Sequence, residues 1–280
     1  MNKLLLPDYD LNMTLLSGQS FSWDFEDDFY WGFTKDKGIK LKMDVETCHG
    51  KSLLWQTYPE KDNIDFLKTY LRLKVNYPKI IKKIQKDNYI KSAIKKYPDL
   101  RLLKQDFEET LLSFLVSANN NIKSIRKIIR SMNRKFGKTV NIDGRKIFLF
   151  PKTEVIAEAK LEDLLECKLG FRAKYLKGAA KYLIENGLSK KIGQMSETQA
   201  RSTLLGIKGV GEKIADCVLV FGLGFDNVTP LDVWGKRAFT KFYKLNPKMK
   251  YDKMRNWISN YFEGYAGWAG QFLYEYVRSL

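Results

Sequence analysis

The stretch that decides how this chain folds is Leu204-Leu-Gly-Ile-Lys-Gly-Val-Gly-Glu-Lys-Ile-Ala-Asp-Cys-Val-Leu-Val-Phe221. Its glycine turn at 209–211 separates a helix that ends near Leu205 from one that begins near Glu212. Glycines permit positive φ and close approach, and such a turn exposes backbone N–H groups beside a helix N-terminus, where phosphate binds. Residues 197–221 are therefore predicted to form a helix-hairpin-helix that binds a DNA backbone through Gly209, Val210 and Gly211.

The composition of the chain agrees with a polyanionic partner. Its 280 residues include 49 Lys and Arg against 32 Asp and Glu, a formal net charge of +17. So large an excess costs self-repulsion and suits nucleic acid better than a small neutral ligand. A membrane surface is also anionic, but we find no apolar run of about 18 residues, so no membrane partner is expected.

Cysteine and histidine usage excludes several kinds of site. Cys48, Cys167 and Cys217 are far apart and predict neither a disulfide framework nor a four-cysteine iron–sulfur cluster. His49 is the single histidine, which argues against His-based triads and His-rich zinc sites. The apolar start 1–6 stops at Pro7 without a cleavage pattern, so we expect a cytosolic protein without a signal peptide. Chemistry must then rest on carboxylates, Lys, Tyr or Ser.

The pattern along the chain predicts an α+β protein with an N-terminal antiparallel β-sheet domain (1–100) followed by a mostly helical region (101–280). Short β-type runs cover Ser20–Trp23, Tyr30–Thr34, Ile39–Met43 and Leu53–Gln56. A cap at Asn63 and a capping box at Ser196–Gln199 predict two helix starts, and further helices are expected from Asp106 to about Val116 and from about Asn121 to Phe136. On the helix after Asn121, a basic stripe is either a solvated face or a contact for phosphates: Lys123, Lys127, Arg130 and Arg134.

A lysine and an aspartate follow the hairpin at a spacing that suits covalent catalysis. Lys213 lies in the first turn of the second helix, and Asp232 follows 19 residues later. The helix over 212–221 rises about 15 Å and the returning segment spans up to about 33 Å, so the two can meet. An amine attacks only in its neutral form, which a helix N-terminus, burial and nearby cations favour. An ionised Asp232 would oppose that form, so its expected role is to stabilise positive charge on the sugar.

Each of these features has a simpler structural interpretation when taken alone. Lys213 could be a solvated residue at a helix start, and Asp232 could be the N-cap of a helix after Pro230. The hairpin also occurs as a DNA clamp without catalytic function. The order hairpin, lysine, aspartate favours the catalytic interpretation.

Several blocks, in one order along nearly the whole chain, resemble the 8-oxoguanine DNA glycosylase family. They are Ser17-Gly-Gln-Ser-Phe-Ser-Trp23, Ala118-Asn-Asn-Asn-Ile122, Leu169-Gly-Phe-Arg-Ala-Lys-Tyr175, Gly209-Val-Gly-Glu-Lys-Ile-Ala-Asp-Cys217, Pro230-Leu-Asp-Val233 and Tyr265-Ala-Gly-Trp268. The resemblance implies a bifunctional DNA glycosylase and AP lyase that flips 8-oxoguanine out of duplex DNA. Lys213 would be the nucleophile that forms a Schiff base, with β-elimination to follow, and Asp232 the catalytic aspartate.

The resemblance also implies a base pocket and a set of DNA contacts. The carbonyl of Gly18 would accept N7–H of the oxidised base, which normal guanine lacks, and Cys217 and Tyr274 would sandwich that base. Phe221 and Gln271 are assigned to the same pocket. The predicted DNA contacts near the orphaned partner base are Asn119, Phe171 and Arg172. Catalysis would need no metal or cofactor, and a structural cation at the hairpin is left open.

Some positions depart from the family pattern. Ser124 replaces an arginine that reads the opposite cytosine, and Phe171 replaces a tyrosine. Gly270 replaces a glutamine that contacts the pairing edge of the base, with Gln271 beside it, and Trp234 stands where histidine is frequent. These changes indicate a bacterial-type branch, so we expect a monomer in the bacterial cytoplasm, associated with the nucleoid. Ser124 predicts a weakened preference for cytosine opposite the lesion.

Two other functions compete with this interpretation. A non-catalytic helix-hairpin-helix module would bind DNA without excising a base. A monofunctional glycosylase for alkylated bases would use Asp232 and water alone, and would have no need of Lys213. Excision that disappears in a Lys213→Gln variant would separate these alternatives.

Overall fold

The computed structural model describes residues 1–6, 8–44, 51–60 and 63–280. The predictions that concern Pro7, Cys48 and His49 lie outside these ranges. Across the described ranges, no helix combines the length and apolar character that a membrane span requires.

An antiparallel sheet forms the N-terminal part of the molecule. Its five strands are ordered β1-β5-β4-β3-β2. Their bounds are β1 Asn2–Leu5, β2 Trp23–Glu26, β3 Phe29–Phe33, β4 Gly38–Asp44 and β5 Ser52–Tyr58. The last three confirm the predicted runs at 30–34, 39–43 and 53–56.

The predicted strand over Ser20–Trp23 was wrong in its position. The strand begins at Trp23, because Asp27 and Asp28, with φ of 51° and 63°, make the two-residue turn that pairs Glu26 with Phe29. Turn geometry sets the register of the hairpin and thereby the start of the strand. Three further elements were not predicted from the sequence: strand β1, the short helix α1 (Leu11–Leu16) and a small hairpin of β6 (Thr139–Ile142) and β7 (Arg145–Phe148).

Apart from the β6–β7 hairpin, the described residues after the sheet are mostly helical. The helices are α2 Ile64–Tyr70, α3 Tyr77–Ile84, α4 Asn88–Lys96, α5 Phe107–Val116, α6 Ile122–Phe136, α7 Thr153–Glu158, α8 Leu161–Glu166, α9 Arg172–Glu185, α10 Leu188–Lys191, α11 Glu197–Leu205, α12 Glu212–Cys217, α13 Val233–Tyr243, α14 Tyr251–Phe262 and α15 Ala266–Arg278. A 3-10 turn covers Ile192–Gln194 after α10, and α12 continues as a π-helical segment, Val218–Leu223. The α+β class and the helix-hairpin-helix, formed by α11 and α12, are confirmed. The domain boundary near residue 100 stays a prediction.

The predicted helix starts and the capping box are confirmed. The side chains of Asp106 and Asn121 accept hydrogen bonds from the first turns of α5 and α6, and Ser196 with Gln199 forms the capping box of α11. Asn63 precedes α2, but its side-chain amide donates to Thr57 Oγ1 at 2.7 Å instead of capping the helix. At Asn63, the side chain therefore bonds Thr57 of β5 instead of the first turn of α2.

Buried apolar side chains form two clusters. One lies against the sheet and includes Trp23, Ile39 and Trp55. The other fills the helical region and includes Phe114 of α5, Cys217 of α12 and Leu273 of α15. Close packing of this second core holds these three helices in fixed relative positions, and their ends surround the candidate site.

Candidate active site

A cleft of about 910 Å³ opens where α5, α12, α15 and the segment before α13 meet. A volume of this size is typical of sites that enclose a small organic group. The sequence-predicted catalytic pair, Lys213 and Asp232, lies on its wall, together with every residue predicted for the base pocket: Gly18, Cys217, Phe221, Gln271 and Tyr274.

Lys213 is oriented by α5. The residue lies in the first turn of α12, and its Nζ donates a hydrogen bond of 2.9 Å to Ser117 Oγ. The same Nζ lies 5.0 Å from the centre of the Phe114 ring. The amine therefore has a defined place in the cleft, between a hydroxyl and an aromatic face.

Asp232 is held by the start of α13. Its side-chain Oδ1 accepts a hydrogen bond of 2.7 Å from Gly235 N, so it is the N-cap of that helix. A Cβ at Gly235 would lie 2.9 Å from the carbonyl oxygen of Pro230, so this turn needs glycine for its close approach. The cap orients the carboxylate through Oδ1, and Asp232 lines the cleft.

Cys217 and Tyr274 supply buried, uncharged surfaces. Burial is the main cause that raises the pKa of the Cys217 thiol to about 12; Lys213 lowers that pKa and Asp232 raises it. Burial likewise raises the pKa of the Tyr274 hydroxyl, followed by the charge of Asp232. Both groups are protonated at neutral pH and can contact a flat, neutral base. Lys213, Asp232 and Cys217 all line this cleft.

Gly18 and Gln271 lie close to Tyr274 on the wall of the cleft. Gly18 has φ of 89°, and a Cβ there would lie 3.0 Å from Ile122 Cδ1 and 3.8 Å from the Tyr274 hydroxyl. Gln271 is buried and donates from Nε2 to Ser17 Oγ at 3.2 Å. Its amide is thus engaged by the neighbour of Gly18.

Packing explains the glycine at position 270. A Cβ at Gly270 would lie 2.5 Å from Thr229 Cγ2, closer than real contacts allow. Thr229 is itself buried, and its Oγ1 bonds the carbonyl of Ala266. A side chain at 270 therefore requires that Thr229 change, which accounts for the departure from the family pattern.

The predicted contacts around the partner base form one exposed group. Phe171 is 55% exposed, and the Arg172 guanidinium lies 4.6 Å from its ring centre. Arg172 donates to the carbonyls of Ala118 at 2.7 Å and Asn119 at 2.9 Å. Asn119 has φ of 48°, an unusual conformation that these bonds brace. Two of the hydrogen bonds that Arg172 can donate therefore stabilise the turn at Asn119.

The hairpin turn packs on α9. Gly209 has φ of 95°, and a Cβ there would lie 2.6 Å from Tyr175 Cγ. Val210 is buried, whereas a Cβ at Gly211 would meet open space. The turn thus packs against Tyr175 of α9 at Gly209, while Gly211 faces outward at the N-terminus of α12.

The basic stripe of α6 divides into different environments. Lys123 reaches the cleft, and Lys127 and Arg134 are exposed. Arg130 pairs with Asp24 of β2, which removes it from the set of free cations. Both alternatives for the exposed members, a solvated face and a phosphate contact, stay open.

The sequence interpretation missed four residues of the cleft and its support. Ser117 and Phe114 contact Lys213, and Phe114 stacks on Phe221 with ring centres 5.8 Å apart. Asp216 of α12 is fully buried, and the Tyr251 hydroxyl donates a hydrogen bond of 2.9 Å to it. Ser117 directly precedes the Ala118-Asn-Asn block and Asp216 lies within the hairpin block, but no spacing rule distinguishes either of them.

Two family models match consecutive parts of the chain. The 8-oxoguanine DNA glycosylase N-terminal domain matches residues 4–111, and the HhH-GPD superfamily base excision DNA repair protein matches residues 112–263. The second match covers more than half of the chain.

Known proteins are similar over nearly the whole length. The N-glycosylase/DNA lyase of Saccharomyces cerevisiae is 28% identical over 93% of this chain and 81% of that protein. The structure of MBOgg1 with a low-affinity DNA ligand superimposes with a TM-score of 0.91, 32% identity, and coverage of 98% and 93% of the two chains. The 8-oxoguanine glycosylase/lyase of Clostridium acetobutylicum, bound to DNA with cytosine opposite 8-oxoguanine, gives 0.89, 28% identity, and coverage of 97% and 92%.

Proposed function

We propose that this chain, which belongs to the HhH-GPD superfamily of base excision DNA repair proteins, is a DNA glycosylase with AP lyase activity that excises 8-oxoguanine from duplex DNA. The observation that carries the proposal is the placement of Lys213 and Asp232 on one cleft, with the lysine amine oriented by Ser117. The similarity to N-glycosylase/DNA lyases and to 8-oxoguanine glycosylase/lyase supports the substrate.

Lys213 acts as the nucleophile in the proposed reaction. The lone pair of Nζ forms a bond to C1′ of the flipped nucleotide as the C1′–N9 bond breaks, and the departing base keeps that electron pair and takes up a proton. Loss of a proton from Nζ and opening of the sugar ring at O4′ then give the Schiff base. Removal of a C2′ proton expels the 3′ phosphate by β-elimination. These steps need no metal or cofactor.

Asp232 acts on charge in the same step. Positive charge develops on the deoxyribose as the base departs, and a carboxylate held in place stabilises that charge without reorganisation. The hydrogen bond from Gly235 N fixes Oδ1, so the carboxylate is oriented before DNA binds. Its role is therefore electrostatic.

The base is selected by contacts that only the oxidised form completes. The Gly18 carbonyl would accept N7–H of 8-oxoguanine, while Cys217 and Tyr274 enclose the ring in a neutral, buried site. Normal guanine offers no proton there and would leave a buried acceptor unpaired, which costs about 1–3 kcal/mol. Phe171, Arg172 and Asn119 would fill the space that the flipped base leaves in the duplex.

Trapping with borohydride tests the reaction class and the nucleophile together. A duplex with 8-oxoguanine opposite cytosine is mixed with the protein under borohydride, which reduces a Schiff base to a permanent crosslink. We expect a crosslink with the wild type and none with Lys213→Gln. Lys236→Gln is the matched control, because Lys236 also lines the cleft, and it should still crosslink.

Other outcomes would assign a different function. Base excision by the wild type without a crosslink would show a monofunctional enzyme and remove the proposed role of Lys213. Binding of DNA with neither excision nor crosslink would favour the non-catalytic module. An active Lys213→Gln variant would contradict the mechanism.

A further inference from the structure

A buried polar network lies behind the candidate catalytic pair. Asp216 follows Lys213 by one turn of α12 and is fully buried. Its carboxylate accepts a hydrogen bond of 2.9 Å from the Tyr251 hydroxyl and a bifurcated one from Arg255 Nε, which lies 3.1 Å from each carboxylate oxygen. A buried carboxylate with this many donors is held rigidly in place.

The Tyr251 hydroxyl also reaches the segment that carries Asp232. It accepts a hydrogen bond of 3.1 Å from Leu231 N, the backbone amide directly before Asp232. Leu231 is 3% exposed. One oxygen atom thus joins the helix of Lys213 to the backbone next to Asp232.

The chemistry of a phenol suits this bridge. A hydroxyl has one proton to donate and lone pairs to accept. Burial, followed by the charge of Asp216, raises the pKa of Tyr251 well above its ordinary value, so its proton stays in place and points to Asp216. The lone pairs then remain for Leu231 N–H. Without the hydroxyl, that buried N–H would lose its hydrogen-bond partner.

The bridge is anchored on both helices of the hairpin. Arg201 of α11 donates to Asp216 at 3.3 Å and to Asp252 of α14 at 2.7 Å. Arg255 of α14 donates to Glu197 of α11 at 2.6 Å. These ion pairs join the hairpin to α14, and the Tyr251 hydroxyl bonds this unit to the backbone next to Asp232.

We propose that Tyr251 and Asp216 are positioning residues that set the distance between Lys213 and Asp232 for base excision. The inference rests on the proposed function, because it assumes that both side chains act on one nucleotide. Misplacement of a reacting group by about 1 Å can lower a rate by about 100-fold, so a bridge of this kind affects the rate through the placement of Lys213 and Asp232.

The two half-reactions separate this role from general destabilisation. Excision of a base needs the lysine and the aspartate together, because the base departs as charge develops on the sugar. Schiff-base formation at a pre-formed abasic site needs only the lysine, since no base has to leave. Loss of the bridge should therefore slow excision and spare abasic-site trapping, whereas partial unfolding lowers both.

The experiment compares Tyr251→Phe with Tyr9→Phe. Tyr9 is the matched control, because its buried hydroxyl donates to the Leu71 carbonyl at 3.1 Å, outside the cleft. Single-turnover excision of 8-oxoguanine and borohydride trapping on an abasic duplex are measured for each protein. For Tyr251→Phe we expect excision about 10-fold slower and trapping within about 2-fold of wild type; for Tyr9→Phe we expect neither to change.

Hydrogen exchange gives a second, activity-independent measurement. In Tyr251→Phe the amide of Leu231 should exchange faster, while the amides of α12 keep their protection. Asp216→Asn weakens the same bridge from its other end and serves as the second variant if the first fails to fold. It should show the same separation of excision from trapping.

Each possible result either supports the proposal or overturns it. Equal loss of both activities, or unchanged excision in a folded variant without the hydroxyl, would overturn it. A wild type that traps abasic DNA but leaves 8-oxoguanine intact would refute the proposed substrate instead, and the positioning role would fall with it.

Discussion

The Nζ of Lys213 donates a hydrogen bond of 2.9 Å to Oγ of Ser117, a residue 96 positions earlier in the chain. The Ser117 hydroxyl donates its own proton to the Phe114 carbonyl at 2.7 Å. Its oxygen is thus fixed as an acceptor that faces the lysine. Phe114 also lies beneath Nζ and stacks on Phe221. The end of α5 therefore determines where the proposed nucleophile points.

Removal of this hydroxyl should slow Schiff-base formation. In Ser117→Ala the Lys213 side chain loses its one hydrogen-bond partner among the described residues, and its amine becomes free to rotate. We expect the single-turnover trapping rate on an abasic duplex to fall by about 10- to 100-fold, with unchanged affinity for DNA. Ser92→Ala, which removes a serine bonded to the Asn88 carbonyl on α4, is the control and should be fully active.

The two hairpin glycines should respond differently to alanine. Gly209→Ala forces a Cβ against Tyr175 at positive φ, and we expect a loss of about 2–4 kcal/mol in the free energy of unfolding. The methyl group added in Gly211→Ala contacts no atom of the protein, so the free energy of unfolding should not change. We expect the affinity for duplex DNA to fall, because the methyl group lies where a phosphate would approach the N-terminus of α12. Urea unfolding and fluorescence anisotropy check these outcomes. Equal stability of the two variants would contradict the packing of the turn.

Preference for the opposite base should be weak in the wild type and stronger after Ser124→Arg. Ser124 lies in the first turn of α6, beside the Asn119 turn, and has no donors that match a guanidinium. We expect similar excision opposite all four bases in the wild type. In the variant we expect about a 10-fold gain opposite cytosine.

The four opposite bases serve as internal controls for that substitution. Added positive charge alone strengthens DNA binding without regard to sequence, so it would raise all four rates together. A strong cytosine preference in the wild type would show that another residue reads the opposite base.

The free energy of unfolding should depend on pH because the buried carboxyl of Glu109 titrates at different pH values in the folded and unfolded chain. Its side chain is 4% exposed, Oε1 accepts from Ser22 Oγ, and Oε2 has no hydrogen-bond partner in the described part of the chain. Burial is the main cause that raises the pKa of this carboxyl from 4.5 to about 8. The folded protein therefore keeps a proton that the unfolded chain releases, and stability falls as the pH rises from 4.5 to about 8.

Glu109→Gln should remove this part of the pH dependence. At about pH 9 we expect the variant to exceed the wild type by on the order of 3 kcal/mol in the free energy of unfolding, and at about pH 5 to show no such gain. Urea unfolding at both pH values measures the difference. Glu158→Gln, at an exposed position on α7, should leave the curve unchanged, and an equal gain at both pH values would refute the assignment.

Local patterns predicted the elements that depend on neighbours in sequence. The helix starts near Asp106 and Asn121, the capping box at Ser196 and the glycine turn at 209–211 were predicted correctly. Such signals are reliable because a cap or a glycine acts within a few residues of itself. The strand placed at 20–23 was wrong because its start depends on the turn at Asp27 and Asp28 and on pairing with β3.

The sequence by itself determined the fold class, the helix-hairpin-helix and the candidate pair Lys213 and Asp232, because residue type and spacing express these features directly. Only the tertiary structure decided which groups orient them. Ser117 lies 96 residues from Lys213, and Tyr251 joins Asp216 to Leu231 across three elements. Contacts of this kind arise when helices that are distant in sequence pack into one core. The residues next to a serine or a tyrosine in the sequence do not indicate which distant group it will contact.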